Sequence, residues 1–553
     1  MPRRSAGLLA LTAALVLFGA SCTGDDPRAE AGDDPSDPIV VPSDLASPSS
    51  SPPIFEPEDA VLNVAISDPS TLDPMRIQDP GSVLVARQVF EGLTRWDPVD
   101  EKVVPGVAEG WRVADGGRTF LFRLRPGMTF HDGSPVTSGD FKFAFDRIAL
   151  KENASDLAYA LERVQGFAET NGGRARSLSG VTTPDDLTLV IRLSEPFHDF
   201  PALLTHPGLV PLPRSAVADI DTFLSAPIGN GPFQVARAWR PGQPVIVKSF
   251  PGFIETPEID GIRFIPFADA SASYLPLVKG DIDVAEVPAG QVRDAAERFG
   301  EDGFKPFLAG YYFGFNLDSK ELDSIKVRKA INRAIDRSAI ASRVYKGTLA
   351  APRGIVPTGM PGFIENLCIT LCKHSPSAAR HLVRSIPAKA RSISIQYTNE
   401  APHGQVADFV ADDLRSVGFK VKTKAFKFPK YLKALRDRKQ SMYRLGWIAE
   451  YPSPDLFLAP LFESTSPDNH SGFSSEKVDR LLAEARAEGS DNRRLQLYIQ
   501  AEKEILKQVP IAPVGSFVTH WAADSSVRGI RFDPTGGFDA IEIVLDPQES
   551  DEA

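Results

Sequence analysis

The chain has 553 residues, 42% of them hydrophobic, so it can bury large cores, and its length indicates about three or four domains. Its formal net charge is −11 at pH 7, from 72 acidic and 61 basic residues. Because a nucleic-acid partner requires a basic surface, this balance argues against nucleic acid.

The N-terminal segment predicts export. Arg3 and Arg4 precede an apolar run over residues 6–20, and small residues then lead from Gly19 to Cys22. The run is too short for a comfortable membrane span, so residues 1–21 are predicted to be a secretory signal. The pattern resembles a bacterial lipoprotein signal, with Cys22 as the lipidated residue, and simple secretion is the alternative. We expect a protein anchored by lipid at the outer face of the cytoplasmic membrane.

Residues 22–59 are rich in Asp, Ser, Pro, Ala and Gly and contain few large apolar side chains. A segment of this kind cannot bury enough surface to offset its ordering entropy, which predicts a disordered tether.

The remaining cysteines, Cys368 and Cys372, stand four positions apart in a region rich in Gly and Pro. In an exported chain this spacing predicts a local disulfide. A metal site with His374 and His381 is the alternative, but a fourth ligand and a convincing spacing are missing. We therefore predict no metal and no cofactor.

In the first part of the folded chain, residues 61–66 read as a buried strand and residues 83–93 as a helix. A strand pair is predicted around residues 115–117. Thr137 and Asp140 are then predicted to cap a helix through Phe141 and Phe145.

The second part alternates between helices and strands. Apolar residues at helical spacing run from Val327 to Val344 and predict one helix, which Gly347 terminates. Further helices are predicted at 406–417, 476–487 and 492–508, with strands at 419–423 and 511–514. This alternation indicates a three-layer α/β lobe.

One stretch, residues 444–454, carries opposite charges at the two ends of an uncharged run. If it is extended, Arg444, Gly446, Ile448 and Glu450 share one face, with the end Cα atoms roughly 20 Å apart. Such a face suits a short zwitterion, because Glu450 can receive an ammonium group and Arg444 a carboxylate. The alternative is an ordinary core strand in which Trp447 is packing and the charges lie at the rim.

Several short motifs along the chain resemble the family 5 extracellular solute-binding proteins, the peptide and nickel receptors of ABC importers. They are FEGL at 90–93, PGVAEGW at 105–111, FRLRPG at 122–127, FHDGSPV at 130–136, LSEP at 193–196, HP at 206–207, PLPRSAV at 211–217, GNGPF at 229–233, GDID at 280–283, VRKA at 327–330, AIDR at 334–337 and VDRLL at 478–482. Together they extend the resemblance over about residues 61–545.

The resemblance implies an α/β fold of two lobes joined by a hinge, the type II, cluster C-like periplasmic-binding-protein fold, with a domain inserted in the first lobe. The predicted first lobe comprises residues 60–91, 198–308 and 519–546. The inserted domain takes residues 92–197, and the second lobe takes residues 309–518. Lobe closure around a ligand is the motion expected of such proteins.

The resemblance also implies site residues. The stretch from Gly446 to Tyr451 matches the segment that lines the ligand cleft, and Glu450 stands where peptide receptors have an Asp that holds the ligand ammonium group. Arg444 matches an arginine that can take the peptide carboxylate, and Arg436 is its predicted companion. Trp447 is predicted to shape a side-chain pocket.

Other positions depart from the peptide receptors. Leu157 replaces a ligand-contacting Tyr, and Val287 and Phe517 replace polar residues, although Phe517 stays among the candidate ligand contacts. Ala309 and Ile448 occupy the places of a disulfide that some relatives have in the second lobe.

We therefore predict a binding protein, not an enzyme, that captures short peptides as a monomer and passes them to the permease of an ABC importer. A nickel chelate, an opine or a sugar-derived metabolite is the alternative ligand. The remote alternative is a hydrolase that uses Glu450 with Asp455, or His131 with Asp132, but no G-x-S-x-G, H-E-x-x-H or phosphate loop supports it.

Overall fold

The structure, a computed structural model, describes residues 60–546. The predicted signal, Cys22 and the tether lie outside the described residues. The helices are α1 Pro80–Val89, α2 Ser138–Ala149, α3 Phe167–Asn171, α4 Phe200–Leu203, α5 Ile220–Ser225, α6 Ala270–Lys279, α7 Val292–Phe299, α8 Ile325–Ala334, α9 Arg337–Arg343, α10 Ile369–Cys372, α11 Pro376–Arg384, α12 His403–Ser416, α13 Phe428–Arg436, α14 Asp455–Phe462, α15 Glu476–Ala487 and α16 Asp491–Gln508.

The strands are β1 Val61–Ile66, β2 Thr94–Asp97, β3 Lys102–Pro105, β4 Ala108–Ala114, β5 Thr119–Leu124, β6 Val181–Asp185, β7 Thr188–Arg192, β8 Phe233–Val235, β9 Val245–Ser249, β10 Gly261–Pro266, β11 Val284–Glu286, β12 Phe304–Phe315, β13 Leu349–Ala350, β14 Ser392–Thr398, β15 Lys420–Phe426, β16 Met442–Ile448, β17 Ile511–Ala523, β18 Val527–Arg528, β19 Arg531–Phe532, β20 Phe538–Asp539 and β21 Val544–Leu545.

Two long strands join the two lobes of the fold. The main sheet runs in the order β15-β14-β16-β12-β17-β11-β1-β10-β9-β8, and β13 pairs with β17 beside this path. β12 and β17 therefore take part in both halves of the sheet. Their antiparallel register shifts between Pro306 and Gly310 of β12, as at a β-bulge. The chain thus has the α/β, two-lobed architecture that the sequence predicted.

The buried cores follow this division. One core is built mostly from residues 93–209, around the separate sheet β4-β5-β7-β6 and α2. A second core lies under β1, β9 and β10. The half of the sheet that contains β14 and β16 has apolar cores on both faces, one with α8 and α12 and the other with α14, α15 and α16. This is the predicted three-layer lobe. The residue boundaries given above for the lobes stay a prediction.

Most local predictions are confirmed. β1 and α15 have the predicted bounds, and α2 begins with a capping box between Thr137 and Asp140. The single helix predicted over residues 327–344 is wrong. It is two helices, because Asp336 caps α9 by accepting a hydrogen bond from the Ala339 amide. The strand predicted at 511–514 runs on to Ala523, and the helix predicted at 83–93 is α1, which starts at Pro80 and ends at Val89.

Candidate functional site

One edge of β16 is open over the second half of the strand. On one side β16 pairs with β12 along its whole length, from Met442 opposite Phe315 to Ile448 opposite Ala309. On the other side β14 reaches only Met442 and Tyr443. The hydroxyl of Tyr431 then donates to the carbonyl of Arg444 at 2.6 Å. Beyond that point, from 445 to 448, no other strand of residues 60–546 pairs with this edge.

The strand ends before Glu450, so the expected extended run from 444 to 450 is wrong in its last part. Ala449 makes one further bond, from its amide to the carbonyl of Leu308 at 2.7 Å, and the chain bends at Glu450. Two prolines follow, Pro452 and Pro454, and proline has no amide hydrogen to continue a ladder. Tyr451 packs in the core built mostly from residues 93–209.

Arg444 is a buried cation without an anionic partner. Its residue surface is only 5% exposed, and its guanidinium carbon lies 4.6 Å from the centroid of the Tyr311 ring. Its Nε and Nη2 atoms are buried and have no hydrogen-bond partner within the described chain. Taking an unpaired charge out of water is costly, so the site as it stands favours the arrival of an anion.

The residues around Arg444 are aromatic and neutral. The hydroxyl of Tyr311 and Nδ1 of His403 lie 3.4 Å apart. Burial, with a further contribution from the Arg444 charge, lowers the pKa of His403 to about 3, and burial raises the pKa of Tyr311. The Phe517 ring lies 6.4 Å from that of Tyr311 and 5.6 Å from that of Tyr345. We call Arg444, Tyr311, Tyr345, His403 and Phe517 the Arg444 cluster. At neutral pH this cluster therefore holds one full positive charge.

Sequence reasoning found Arg444 and Phe517 but missed Tyr311, Tyr345 and His403. These residues come from β12, from the turn after α9 and from the first position of α12. Tyr311 and His403 are 92 positions apart. No local pattern marks them, because only the tertiary fold, in which α12 packs against β14 and β15, brings His403 beside Tyr311.

Glu450 is a half-buried carboxylate on the bend after β16. Burial raises its pKa to about 7, and no nearby charge opposes that rise. Within residues 60–546 it has no salt bridge or hydrogen bond. Glu450 and Arg444 are thus two unpaired charges of opposite sign at the two ends of the open strand edge.

A buried polar junction holds the loop that follows Glu450. The carboxylate of Asp199 accepts hydrogen bonds from Oγ of Ser453 at 2.6 Å, Nε of Arg494 at 2.6 Å and the hydroxyl of Tyr498 at 3.0 Å. We call these four residues the Asp199 junction. It ties the segment after the four-stranded sheet to the loop after Glu450 and to α16, and the sequence did not reveal it.

The other predicted ligand contacts lie at or near β16. Gly446 stands opposite Tyr311, and Ile448 stands opposite Ala309, which places the two positions of the missing disulfide side by side. The half-buried Trp447 donates from Nε1 to the carbonyl of Leu456 at 2.6 Å.

Arg436 is separate from the Arg444 cluster. It is exposed in the last turn of α13, and no contact within the described chain joins it to Arg444. Its predicted role as the companion of Arg444 therefore has no geometric support.

The sulfur atoms of Cys368 and Cys372 are joined, with a Cα–Cα distance of 5.5 Å. In the part of the chain that the structure covers, no group of three or more His, Cys, Asp or Glu side chains is arranged to hold a metal ion. No helix between residues 60 and 546 is long and apolar enough to cross a membrane.

Comparison with known proteins identifies the family. The chain is 25% identical to the oligopeptide-binding protein OppA of Bacillus subtilis over 498 residues, which is 86% of this chain and 91% of that protein. It is 27% identical to the probable deoxycholate-binding periplasmic protein YgiS of Escherichia coli over 464 residues, 81% of this chain and 86% of that one.

A solved structure has the same fold. The unliganded open form of the periplasmic murein tripeptide-binding protein MppA superposes with a TM-score of 0.76 at 24% identity, covering 88% of this chain and 98% of that one. The profile of the bacterial extracellular solute-binding proteins, family 5, matches residues 102–469. With most of its length matched, this chain belongs to the bacterial extracellular solute-binding proteins of family 5.

Proposed function

We propose that this protein is the lipid-anchored receptor of an ABC importer and binds short peptides without reacting with them. The observation that carries the proposal is Arg444, a buried guanidinium whose anionic partner is missing. The carboxylate at the end of a peptide supplies that partner. An N–H···O bond between two charged groups is roughly twice as strong as a neutral one.

The open edge of β16 explains how the peptide backbone is held. An extended peptide can add to this edge as a further strand and bond to the unpaired backbone groups of residues 445–448. Gly446 has no side chain, so the two main chains can approach closely. Backbone pairing of this kind tolerates different side chains in the ligand.

Glu450 is proposed to hold the α-ammonium group at the other end. Its carboxylate is partly desolvated and has no competing cation, so a bound ammonium group would restore its charged form. We expect hydrogen bonds to this charged group to contribute about 1.5–3 kcal/mol to binding. Trp447, on the opposite face of the strand from Arg444, is proposed to shape a side-chain pocket.

The remainder of the proposal rests on relatives, on one sequence motif and on the family. Relatives named for peptides include the oligopeptide-binding protein of Bacillus subtilis and the tripeptide-binding MppA. The lipid anchor rests on the motif that ends at Cys22, and delivery to a permease rests on the family.

A calorimetric cycle between protein and ligand tests the proposal. Alanine peptides of increasing length are titrated in four forms, namely free, N-acetylated, C-amidated and blocked at both ends. If Arg444 receives the carboxylate, amidation weakens binding to the wild type at least tenfold but has little further effect on Arg444→Met. If Glu450 receives the ammonium group, acetylation weakens binding to the wild type at least tenfold but has little further effect on Glu450→Gln.

Arg436→Met is the matched control, because it removes an exposed guanidinium outside the Arg444 cluster. Circular dichroism establishes that each variant is folded. Equal affinity of the wild type for all four peptide forms would rule out both terminal contacts.

A second ligand class is favoured by one comparison. The Escherichia coli relative is named a probable deoxycholate-binding protein, and deoxycholate has a carboxylate but no ammonium group. The neutral aromatic wall of the Arg444 cluster would also suit the carboxylate of an apolar acid. If acetylation of the peptide leaves its binding unchanged while amidation weakens it, this ligand class would be favoured over peptides.

A further inference from the structure

A short stretch of this acidic chain is strongly basic. Residues 419–439 contain nine lysines and arginines and one acidic residue, Asp437, in a protein whose total charge is −11. All nine basic residues are exposed. They are Lys420, Lys422, Lys424, Lys427, Lys430, Lys433, Arg436, Arg438 and Lys439.

Six of these lysines lie on one side of the sheet. β15 is the edge strand, and Lys420, Lys422 and Lys424 alternate with Val421 and Thr423, so they point away from the core that Val421 contacts. Phe426 has the same orientation as these lysines, and its ring lies 5.9 Å from that of Tyr431 in α13. α13 therefore packs on the lysine side of the sheet.

Lys427, Lys430 and Lys433 then follow at intervals of three along the start and the exposed side of α13. We call the six residues the lysine face. Lys424, Phe426, Lys427, Pro429 and Lys430 also line a groove of about 520 Å³ between β15 and α13.

Little of this charge is neutralised. Lys433 pairs with Asp437 at 2.9 Å, and Lys424 lies 4.9 Å from the Phe426 ring centroid. The other four lysines have no ion pair within the described chain. Glu400 follows β14 near Phe426, whose carbonyl accepts from the Asn399 amide. The acidic residues Asp412 and Asp413 belong to α12, on the other face of the sheet.

Protection of the sheet edge explains only part of the pattern. Lysines on an edge strand discourage pairing with another chain, which accounts for the three on β15. It does not account for the three on α13, which is a helix and offers no edge. A common electrostatic role explains both sets.

We propose that the lysine face docks on the anionic phospholipid headgroups of a bilayer. Lysine is a point charge on a flexible stem, so an array of six suits a surface of many phosphates better than one shaped acidic site. The chain as a whole is acidic, so such a surface attracts the lysine face and repels the carboxylates elsewhere on the molecule. The groove with Phe426 and Pro429 offers apolar contact at headgroup depth.

Docking at this face would fix the orientation of the protein on a membrane, because β15 is the outermost strand of its lobe. The lobe with β8 and β9 at its outer edge would then point away from the bilayer. This inference does not depend on which ligand is bound between the lobes.

Vesicle sedimentation tests the proposal. The full chain is mixed with vesicles of phosphatidylcholine alone or with phosphatidylglycerol added, over a range of salt concentrations. The test variant is Lys422→Gln/Lys427→Gln/Lys430→Gln. The matched control is Lys320→Gln/Lys326→Gln/Lys329→Gln, which removes the same charge from exposed lysines in and before α8.

We expect the wild type and the control to bind phosphatidylglycerol vesicles and to be released by salt. At about 1 kcal/mol for each lysine near an anionic surface, the test variant should partition roughly a hundredfold more weakly. Binding through residues 6–20 is common to all variants and does not alter this comparison. Peptide affinity measured in solution should be unchanged in both variants, which separates this face from the proposed ligand site.

Equal partition of the test and control variants would overturn the proposal, as would a difference between these two variants that does not depend on phosphatidylglycerol. Salt-dependent binding of the wild type to polyglutamate, without binding to phosphatidylglycerol vesicles, would assign the lysine face to an acidic polypeptide instead. Light scattering shows whether any variant aggregates through the altered edge strand.

Discussion

The guanidinium of Arg444 packs over the ring of Tyr311, with 4.6 Å between its carbon and the ring centroid. The π face of the ring lies beside a guanidinium whose buried Nε and Nη2 have no hydrogen-bond acceptor within the described chain. A cation–π contact is worth less than a charged hydrogen bond, so the unliganded protein bears a cost that an anion would remove.

The first prediction concerns the stability of the unliganded protein. Arg444→Met should leave the free energy of unfolding unchanged or raise it by about 1–3 kcal/mol, because an apolar side chain of similar length replaces an unpaired buried charge. Chemical denaturation measures this change. Arg436→Met should alter stability by less than about 0.5 kcal/mol, because Arg436 is exposed. A loss of more than about 2 kcal/mol in Arg444→Met would mean that Arg444 has a structural partner.

The second prediction concerns the pH dependence of peptide binding. Because the pKa of Glu450 is about 7 in the unliganded protein, its carboxylate is mostly neutral near pH 5 and mostly charged near pH 8. Affinity for a free peptide should therefore rise through pH 7. It should fall again above about pH 8 as the α-amino group loses its proton.

Calorimetry across this pH range checks the second prediction. In Glu450→Gln the affinity should no longer rise through pH 7. The affinity for an N-acetylated peptide should neither rise through pH 7 nor fall above about pH 8. A rise through pH 7 that persists in Glu450→Gln would assign the titration to another group.

The third prediction concerns the Asp199 junction. Asp199→Ala leaves the charge of Arg494 and the hydroxyls of Ser453 and Tyr498 without their common acceptor. We expect a loss of about 3–5 kcal/mol in unfolding free energy, as found when one partner of a buried pair is removed. Asp491→Ala is the control, because Asp491 pairs with the same Arg494 but its side chain is 83% exposed. That change should cost less than about 1 kcal/mol.

Peptide binding distinguishes two roles for the Asp199 junction. Because it holds the loop after Glu450, Asp199→Ala should also weaken binding of free peptides more than binding of N-acetylated ones. Equal weakening of both would indicate a structural role alone.

The fourth prediction concerns Cys368 and Cys372. Their disulfide closes a loop of only a few residues, so the unfolded chain loses little entropy and the bond should stabilise the fold by about 2 kcal/mol. Cys368→Ser/Cys372→Ser should therefore remain folded. Denaturation of the wild type with and without reductant should show the same difference.

The local elements of the fold were predictable because their signals are local. Thr137 and Asp140 cap α2 through bonds that span three residues. The bounds of α15 follow from its apolar spacing and from Ser475, which caps it. Where the prediction failed, at α8 and α9, the apolar spacing continued across a break that Asp336 introduces. Periodicity alone does not detect such a break.

The sequence by itself determined the family, the lobed α/β architecture and the presence of two opposite charges around Gly446, since motifs and alternation are carried by neighbouring residues. The tertiary structure alone decided that Arg444 is buried against Tyr311 and beside His403, that the strand stops at Ile448, and that Asp199 binds α16. These contacts join residues up to 299 positions apart. Whether a charge is paired depends on which distant chains pack around it, and that information is not contained in the spacing of its neighbours.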